Sequence, residues 1–176
     1  MKRILVIGCP GAGKSTFARA LRDRTGLPLW YLDQIWHRPD RTTVSRAEFD
    51  ARLTGLLRGD AWIIDGNYLR TLEFRLRAAD TVFLLDYPTG VCLEGTRLHR
   101  YKAGGPALGE GGVYQWIEDF SRDQLPEIHH LLEQYGEGGK CMFSTAGLKQ
   151  MTGCGHSREY EKRRGIAPLL FIAPSG

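Results

Sequence analysis

No apolar run in this sequence is long enough to cross a bilayer: the longest, residues 166–174, falls well short of the roughly 20 residues that a membrane helix needs. The first apolar run, 4–7, is too short for a signal peptide and passes straight into glycines, so a soluble, cytoplasmic protein is expected. Cysteine is sparse and scattered. The four residues Cys9, Cys92, Cys141 and Cys154 form no C-x-x-C pair, which argues against a disulfide framework or a compact zinc site and leaves reduced thiols. His37, His99, His129 and His130 lack partners at ligand spacing, and Cys141, Cys154 and His156 are too irregular for zinc. There is no internal repeat, and no helix-turn-helix, zinc finger or aromatic stacking platform is readable. Charge of one sign is not extreme either. A formal +4 and a pI near 9.0 suit an anionic ligand without arguing for nucleic acid. What remains is a chain of 176 residues, 42% hydrophobic, with the size and core of one ordinary domain.

Its apolar residues alternate between two periods. Residues 2–7 make a continuous apolar run ending at Gly8, the pattern of a strand buried on both faces of a parallel sheet. Phe17, Ala20 and Leu21 then recur at helical spacing before Gly26, which predicts a helix over 13–25. A second apolar run at 28–32 closes on Asp33, and 34–43, with Pro39, reads as a loop. Ser45 with Glu48 forms a capping box ahead of Phe49, Leu53, Leu56 and Leu57, which predicts a helix over 46–58. Short apolar runs at 61–64 and 81–85 end in Asp65 and Asp86, with a helical stretch near 70–78 between them. Ile117, Phe120, Ile128, Leu131 and Tyr135 predict two more helices, broken near Ser121, with Pro126 in the first turn of the second and Gly136 as its stop. Residues 102–112 are glycine-rich, and little periodicity follows Gly139. Such β-α alternation implies an open parallel sheet with helices on both faces, whose ligands gather where Asp33, Asp65 and Asp86 lie, at the carboxyl ends of the strands.

Gly8-Cys9-Pro10-Gly11-Ala12-Gly13-Lys14-Ser15 is a complete Walker A pattern between a strand and a helix. Glycines there let successive backbone N–H groups turn inward around phosphate oxygens at the positive end of a helix. Gly8, Pro10, Gly11, Ala12, Gly13, Lys14, Ser15 and Thr16 are thus expected to bind ATP, with Lys14 reaching the β- and γ-phosphates. Ser15 offers a hydroxyl to Mg2+, and Asp65 is the first choice for the supporting carboxylate, ahead of Asp86. Cys9 is expected to be a small filler rather than a nucleophile.

The stretch 65–70 puts Asp65, Asn67, Tyr68 and Arg70 on one loop, where Arg70 could clamp an acceptor phosphate through two parallel bonds. Asp33 could take a proton from an acceptor hydroxyl, bind an acceptor group, or cap the next element. Arg97, Arg100, Lys102 and Arg122 flank the glycine-rich stretch as a mobile lid would, with Arg97 and Arg122 the favoured catalytic arginines beside Lys14 and Arg70.

These motifs together resemble a bacterial family of adenylate kinase-related P-loop proteins, the topology modulation (FlaR-like) family, over about residues 1–140. The matching segments are Ile4-Leu5-Val6-Ile7-Gly8-Cys9-Pro10-Gly11-Ala12-Gly13-Lys14-Ser15-Thr16, Leu32-Asp33-Gln34-Ile35-Trp36-His37-Arg38-Pro39, Trp62-Ile63-Ile64-Asp65-Gly66-Asn67-Tyr68-Leu69-Arg70-Thr71, Phe83-Leu84-Leu85-Asp86-Tyr87-Pro88 and Asp123-Gln124-Leu125-Pro126. The resemblance implies a nucleoside monophosphate kinase-like fold, ATP and Mg2+ as cofactors, and phosphoryl transfer. It also implies that 65–70 handles an acceptor nucleotide. The arginine that adenylate kinases carry at the start of their lid falls at Gly95, with Arg97 the nearest substitute. Residues 102–112 and 141–176 depart from the family's pattern, which raises the loss of a fifth strand and of part of the adenine pocket.

The expected organisation is therefore a P-loop kinase-like domain over 1–140, with a lid near 97–112, and an atypical tail over 141–176 that is a candidate for poor order. The expected function is transfer of the γ-phosphoryl group of ATP to a small acceptor, a nucleoside monophosphate first, by a monomer that binds no membrane. The alternatives are an ATP-binding regulatory or nucleic-acid-associated protein, which the basic residues Lys140, Lys149, Arg158, Lys162, Arg163 and Arg164 permit, and a P-loop protein that binds nucleotide but transfers nothing.

Overall fold

Ile4–Ile7 are wholly buried, so the strand they form must lie in the middle of the molecule with neighbours on both edges. The computed structural model, which describes residues 1–40, 42–102, 112–136 and 141–144, shows this. Strand β1, Arg3–Gly8, pairs in parallel with β3, Trp62–Asp65, on one side and with β4, Thr81–Leu85, on the other. A short β2, Leu29–Tyr31, adds to β3. Beyond β4 lies β5, Cys141–Ser144, so the sheet has five strands in the order β2-β3-β1-β4-β5. A fifth strand is therefore present, where the tail's departure from the family pattern raised its loss, and it begins at residue 141. The rest of that tail, 145–176, lies outside the described residues.

Helix α1, Lys14–Thr25, joins β1 to β2 and buries Phe17, Ala18 and Leu21. The crossover from β1 to β2 runs one way along the sheet, and that from β3 to β4, through α4 at Leu72–Ala78, runs the other. Right-handed crossovers in opposite directions put their helices on opposite faces. This is the two-sided α/β fold expected from the alternation. The capping box of α3, Arg46–Leu57, is half used: Ser45 Oγ accepts the Glu48 N–H at 3.1 Å, while the Glu48 carboxylate goes to Arg38 and Arg52.

Two expectations on local structure need correction, and one helix has no counterpart among them. Residues 32–36, partly assigned to a loop, form α2, Leu32–Trp36, whose single turn buries Leu32 and Ile35 and is too short to show a period. Residues 89–102 form α5, Thr89–Lys102, which threonines and glycines hide from a propensity argument. The break between α6, Val113–Asp123, and α7, Leu125–Gly136, falls at Gln124 rather than near Ser121, with Pro126 in the first turn, where a missing N–H costs nothing. A short 3-10 turn, Leu69–Thr71, precedes α4. No helix among the described residues is long and apolar enough to cross a membrane.

The core is tied across the sheet by Phe17 of α1, whose ring meets Phe83 of β4 edge-on at 4.9 Å between centroids. Phe83 is 1% exposed. Phe83→Ala should cost about 3–5 kcal/mol in urea unfolding at unchanged m-value, because the cavity lies between a strand and a helix that cannot both relax into it.

Candidate functional site

Glycines at 11 and 13, each at positive φ (79° and 81°), bend the chain after β1 into the N-terminus of α1. Left-handed glycines running into a helix N-terminus are the backbone from which anion nests are built, at the positive end of a helix dipole. The loop is braced from within. Ala12 N–H donates to Cys9 O at 3.2 Å, and Lys14 Nζ donates to the same oxygen at 2.9 Å. Burial lowers the Lys14 pKa, and the nearby charges of Asp65 and then Asp33 act against that lowering.

Asp65 ends β3, beside β1, and its Oδ2 accepts the Ser15 hydroxyl at 2.6 Å. The carboxylate is 5% exposed, and its Oδ1 has no hydrogen-bond partner among the described residues. Burial pushes its pKa up, opposed by the Ser15 bond and by Lys14. A buried carboxylate oxygen left without a donor, next to a hydroxyl and below a phosphate nest, fits a hard divalent cation such as Mg2+. Asp86, the second choice, lies instead near Cys9 and Cys92, on whose thiols its charge acts, with His129 Nε2 3.8 Å away. Cys9 is a buried thiol whose pKa is raised, first by its hydrogen bond with Cys92 and then by burial, in keeping with a filler.

The loop after β3 serves two neighbours. Asn67 Oδ1 accepts the Gly8 N–H at 2.9 Å, and its Nδ2 donates to Gly8 O at 2.7 Å. Its amide, expected to face substrate, is thus committed at both ends to the P-loop, as a buried carboxamide must be somewhere. Tyr68 stands at φ 37°, and its hydroxyl donates to Asp33 Oδ1 at 2.9 Å. Burial, and then that bond, raise the Tyr68 pKa. Its ring stacks on Phe49, 5.2 Å between centroids, and meets Trp36 edge-on at 6.4 Å. Asp33 follows β2, is exposed, and its charge acts on both Lys14 and Asp65. P-loop, Asp65 and Asp33 therefore share one electrostatic neighbourhood at the carboxyl edge of the sheet.

The expected arginines are not gathered there. Arg70 forms two parallel bonds to Asp50, at 2.9 and 2.6 Å. Arg97 pairs with Glu94 at 3.9 Å and stands over the Tyr114 ring. Arg122 is held by Asp119 and Asp123. Thr16 is exposed and accepts from Arg19 at 3.2 Å. The expected lid beyond Lys102, up to residue 111, and the side chain of Arg100 lie outside the described residues.

Sequence reasoning missed two features. One is the contact of α5 with the P-loop. A Cβ on Gly11 would lie 1.9 Å from Cys92 O, and one on Gly95 would lie 2.2 Å from Gly11 O. Position 95 therefore has no room for the arginine that adenylate kinases place there: backbone touches backbone. The other is Arg75 on α4, fully buried below the 66–68 loop. Its helical register with Leu72 and Leu76, on the core face, was the available signal.

No protein-family model and no curated protein matches the chain. Among solved structures, shikimate kinase from Acinetobacter baumannii, in complex with shikimate, is similar with a TM-score of 0.56 and 20% identity, over 74% of this chain and 80% of that one. Shikimate kinase from Bacteroides thetaiotaomicron is similar with a TM-score of 0.51 and 20% identity, over 77% and 80% of the two chains. At that identity the likeness establishes the α/β P-loop NTPase fold. The narrower topology modulation family rests on the motifs alone.

Two outcomes follow from this packing. Gly95→Ala should destabilise the protein by about 1–3 kcal/mol in urea unfolding, through strain against Gly11. Gly90→Ala, on the same helix in open space, should leave stability unchanged or raise it. For Asp65, the native state holds its proton more tightly than the unfolded chain, so stability falls as pH climbs from the ordinary value of 3.8 through the raised native one. Asp65→Asn should flatten that fall and raise stability at neutral pH, read by urea unfolding across a pH series, while weakening any Mg2+-dependent nucleotide binding.

Proposed function

We propose that this protein is an ATP-dependent phosphotransferase that passes the γ-phosphoryl group to a hydroxyl of a small acceptor seated beside Asp33, Tyr68 and Trp36. The observation that carries it is the Ser15–Asp65 pair, 2.6 Å apart, with a second carboxylate oxygen buried and without a partner among the described residues, under a complete P-loop. Ser15 and Asp65 would hold Mg2+, which when bound neutralises charge on the β- and γ-phosphates. The remaining work falls to the chain itself. The backbone N–H groups of the P-loop and the Lys14 ammonium hold the triphosphate and draw off negative charge as the bond to the γ-phosphorus breaks. Asp33 is an exposed carboxylate whose Oδ1 is fixed by the Tyr68 hydroxyl. In this reading it accepts the acceptor's proton as the hydroxyl oxygen attacks. That the solved neighbours are themselves kinases supports this reading.

A nucleoside monophosphate acceptor, which the resemblance to adenylate kinase-related proteins implies, is the second reading. Arg70 is the residue that would clamp its phosphate, but it would first have to leave the bidentate bond to Asp50. That pair is exposed, so exchange is open to a phosphate, but a hydroxyl acceptor needs no such exchange. Arg97, paired with Glu94, and Arg122, paired with Asp119 and Asp123, would likewise have to exchange exposed carboxylate partners before meeting a phosphate. A nucleic-acid role draws only on basic residues of the tail, which lie outside the described residues.

ADP formation should be measured with MgATP against a panel of polyols, hydroxy acids and nucleoside monophosphates. Lys14→Ala should abolish turnover and weaken triphosphate binding. With a hydroxyl acceptor, Asp33→Asn should lower kcat by about 10²–10⁴-fold, whereas Arg70→Ala should act mainly on KM. Turnover confined to monophosphates, and lost with Arg70→Ala but kept with Asp33→Asn, would decide for the second reading. Triphosphate affinity unaffected by Lys14→Ala would remove both.

A further inference from the structure

Arg75 is a strange residue for a core. It is fully buried, and burial alone lowers its pKa, to about 9, with no described carboxylate acting against that. It remains a cation at neutral pH, and its Nε has no partner among the described residues. A buried charge without a counter-ion is expensive, and an apolar side chain of similar size would serve the packing of α4 better. Something other than packing has to account for it.

Its other two nitrogens show what. Arg75 Nη1 donates to Gly66 O at 2.8 Å, while Nη2 donates to Asn67 O and, at 3.1 Å, to Tyr68 O. Three successive carbonyls of one loop converge on a single guanidinium. An extended or helical backbone does not aim successive carbonyls at one point. It happens here because Gly66 and Tyr68 both lie at positive φ, 138° and 37°. A non-glycine residue is uncommon in that region and needs surrounding structure to hold it there. The same conformation aims the Asn67 amide at Gly8 of the P-loop and the Tyr68 hydroxyl at Asp33.

We infer that Arg75 is the positioning residue of the site: by gathering the carbonyls of residues 66–68 it holds Asn67 on the P-loop and Tyr68 on Asp33, and so sets the triphosphate and acceptor sides in one geometry. The acceptor half of this rests on the phosphotransferase reading above; the P-loop half does not. Lysine cannot replace it, since an ammonium is a point charge without the planar fork that spans three oxygens.

Arg75→Lys and Arg75→Gln test the assignment, with hydrogen exchange read by NMR on the whole protein. The Gly8 amide, which donates to Asn67, should lose at least about tenfold more protection than the Phe83 amide in the middle of the sheet, because the loss is local rather than global. Equal losses at the two amides would overturn the inference, as would a chain that fails to fold with either replacement, since Arg75 would then be a residue of core stability. The second arm is the affinity for MgATP, and for its non-hydrolysable analogue, in Arg75→Lys, Asn67→Ala and the double variant. If Arg75 acts through Asn67, its replacement weakens binding about tenfold alone and adds little in the Asn67→Ala background. Additive losses would overturn the coupling. If the wild-type protein binds no MgATP, the phosphotransferase reading fails while the exchange comparison still decides the role of Arg75.

Discussion

Two parallel strands that end side by side inside an apolar sheet cannot simply diverge into loops, because the polar backbone freed at their ends is still buried. The reciprocal amide bond between Asn67 and Gly8 resolves that problem. One side chain satisfies both the N–H and the C=O of the last residue of β1, and is itself satisfied at both ends. The P-loop thereby leaves the sheet at a fixed angle relative to the loop after β3. Ser15 can then meet Asp65 across the gap without either side chain searching for the other.

From that joint the site extends in two directions, each held by unusual packing. Toward α5, the P-loop backbone lies directly on helix backbone at Gly11 and Gly95, so no side chain separates the P-loop from the helix leading to the glycine-rich stretch. Toward α2 and α3, Tyr68 carries the joint to Asp33 through a hydroxyl and to Phe49 and Trp36 through its ring. Neither direction is built for stability. Among the described residues, a buried carboxylate oxygen without a donor at the end of β3, a tyrosine at positive φ in the loop that follows and a buried guanidinium without a counter-ion on α4 all raise the energy of the fold, and they lie within one short stretch of chain. The hydrophobic strands β1, β3 and β4 are what allow a domain to carry that concentration of cost.

Much of this was legible beforehand, for physical reasons. Continuous apolar runs over β1, β3 and β4 read clearly because strands buried on both faces have no polar positions to confuse the pattern. The Walker A residues read clearly because their chemistry lives in local backbone geometry, which a short sequence fixes. Elements with weak local signals did not read: α2 is one turn long, α5 is rich in threonine and glycine, and β5 offers only four residues without alternation. Ser15 and Asp65 could be paired in expectation because the Walker A motif assigns the Ser15 hydroxyl its role and Asp65 closes the apolar run of β3. Asn67 could not be placed, since a carboxamide on a loop looks the same whether it faces a ligand or the neighbouring strand.

The sequence by itself therefore determined the class of sheet, the Walker A loop and the carboxylates at the strand ends, because each follows from periodicity or from a contiguous motif. Only the tertiary structure decided which partner each loop residue keeps: Arg70 with Asp50, Asn67 with Gly8, Arg75 with the 66–68 carbonyls, and Gly95 against Gly11. Those pairings join residues distant in the chain or hidden on the inner face of a helix. They depend on how far two packed surfaces approach, a quantity that no local pattern encodes.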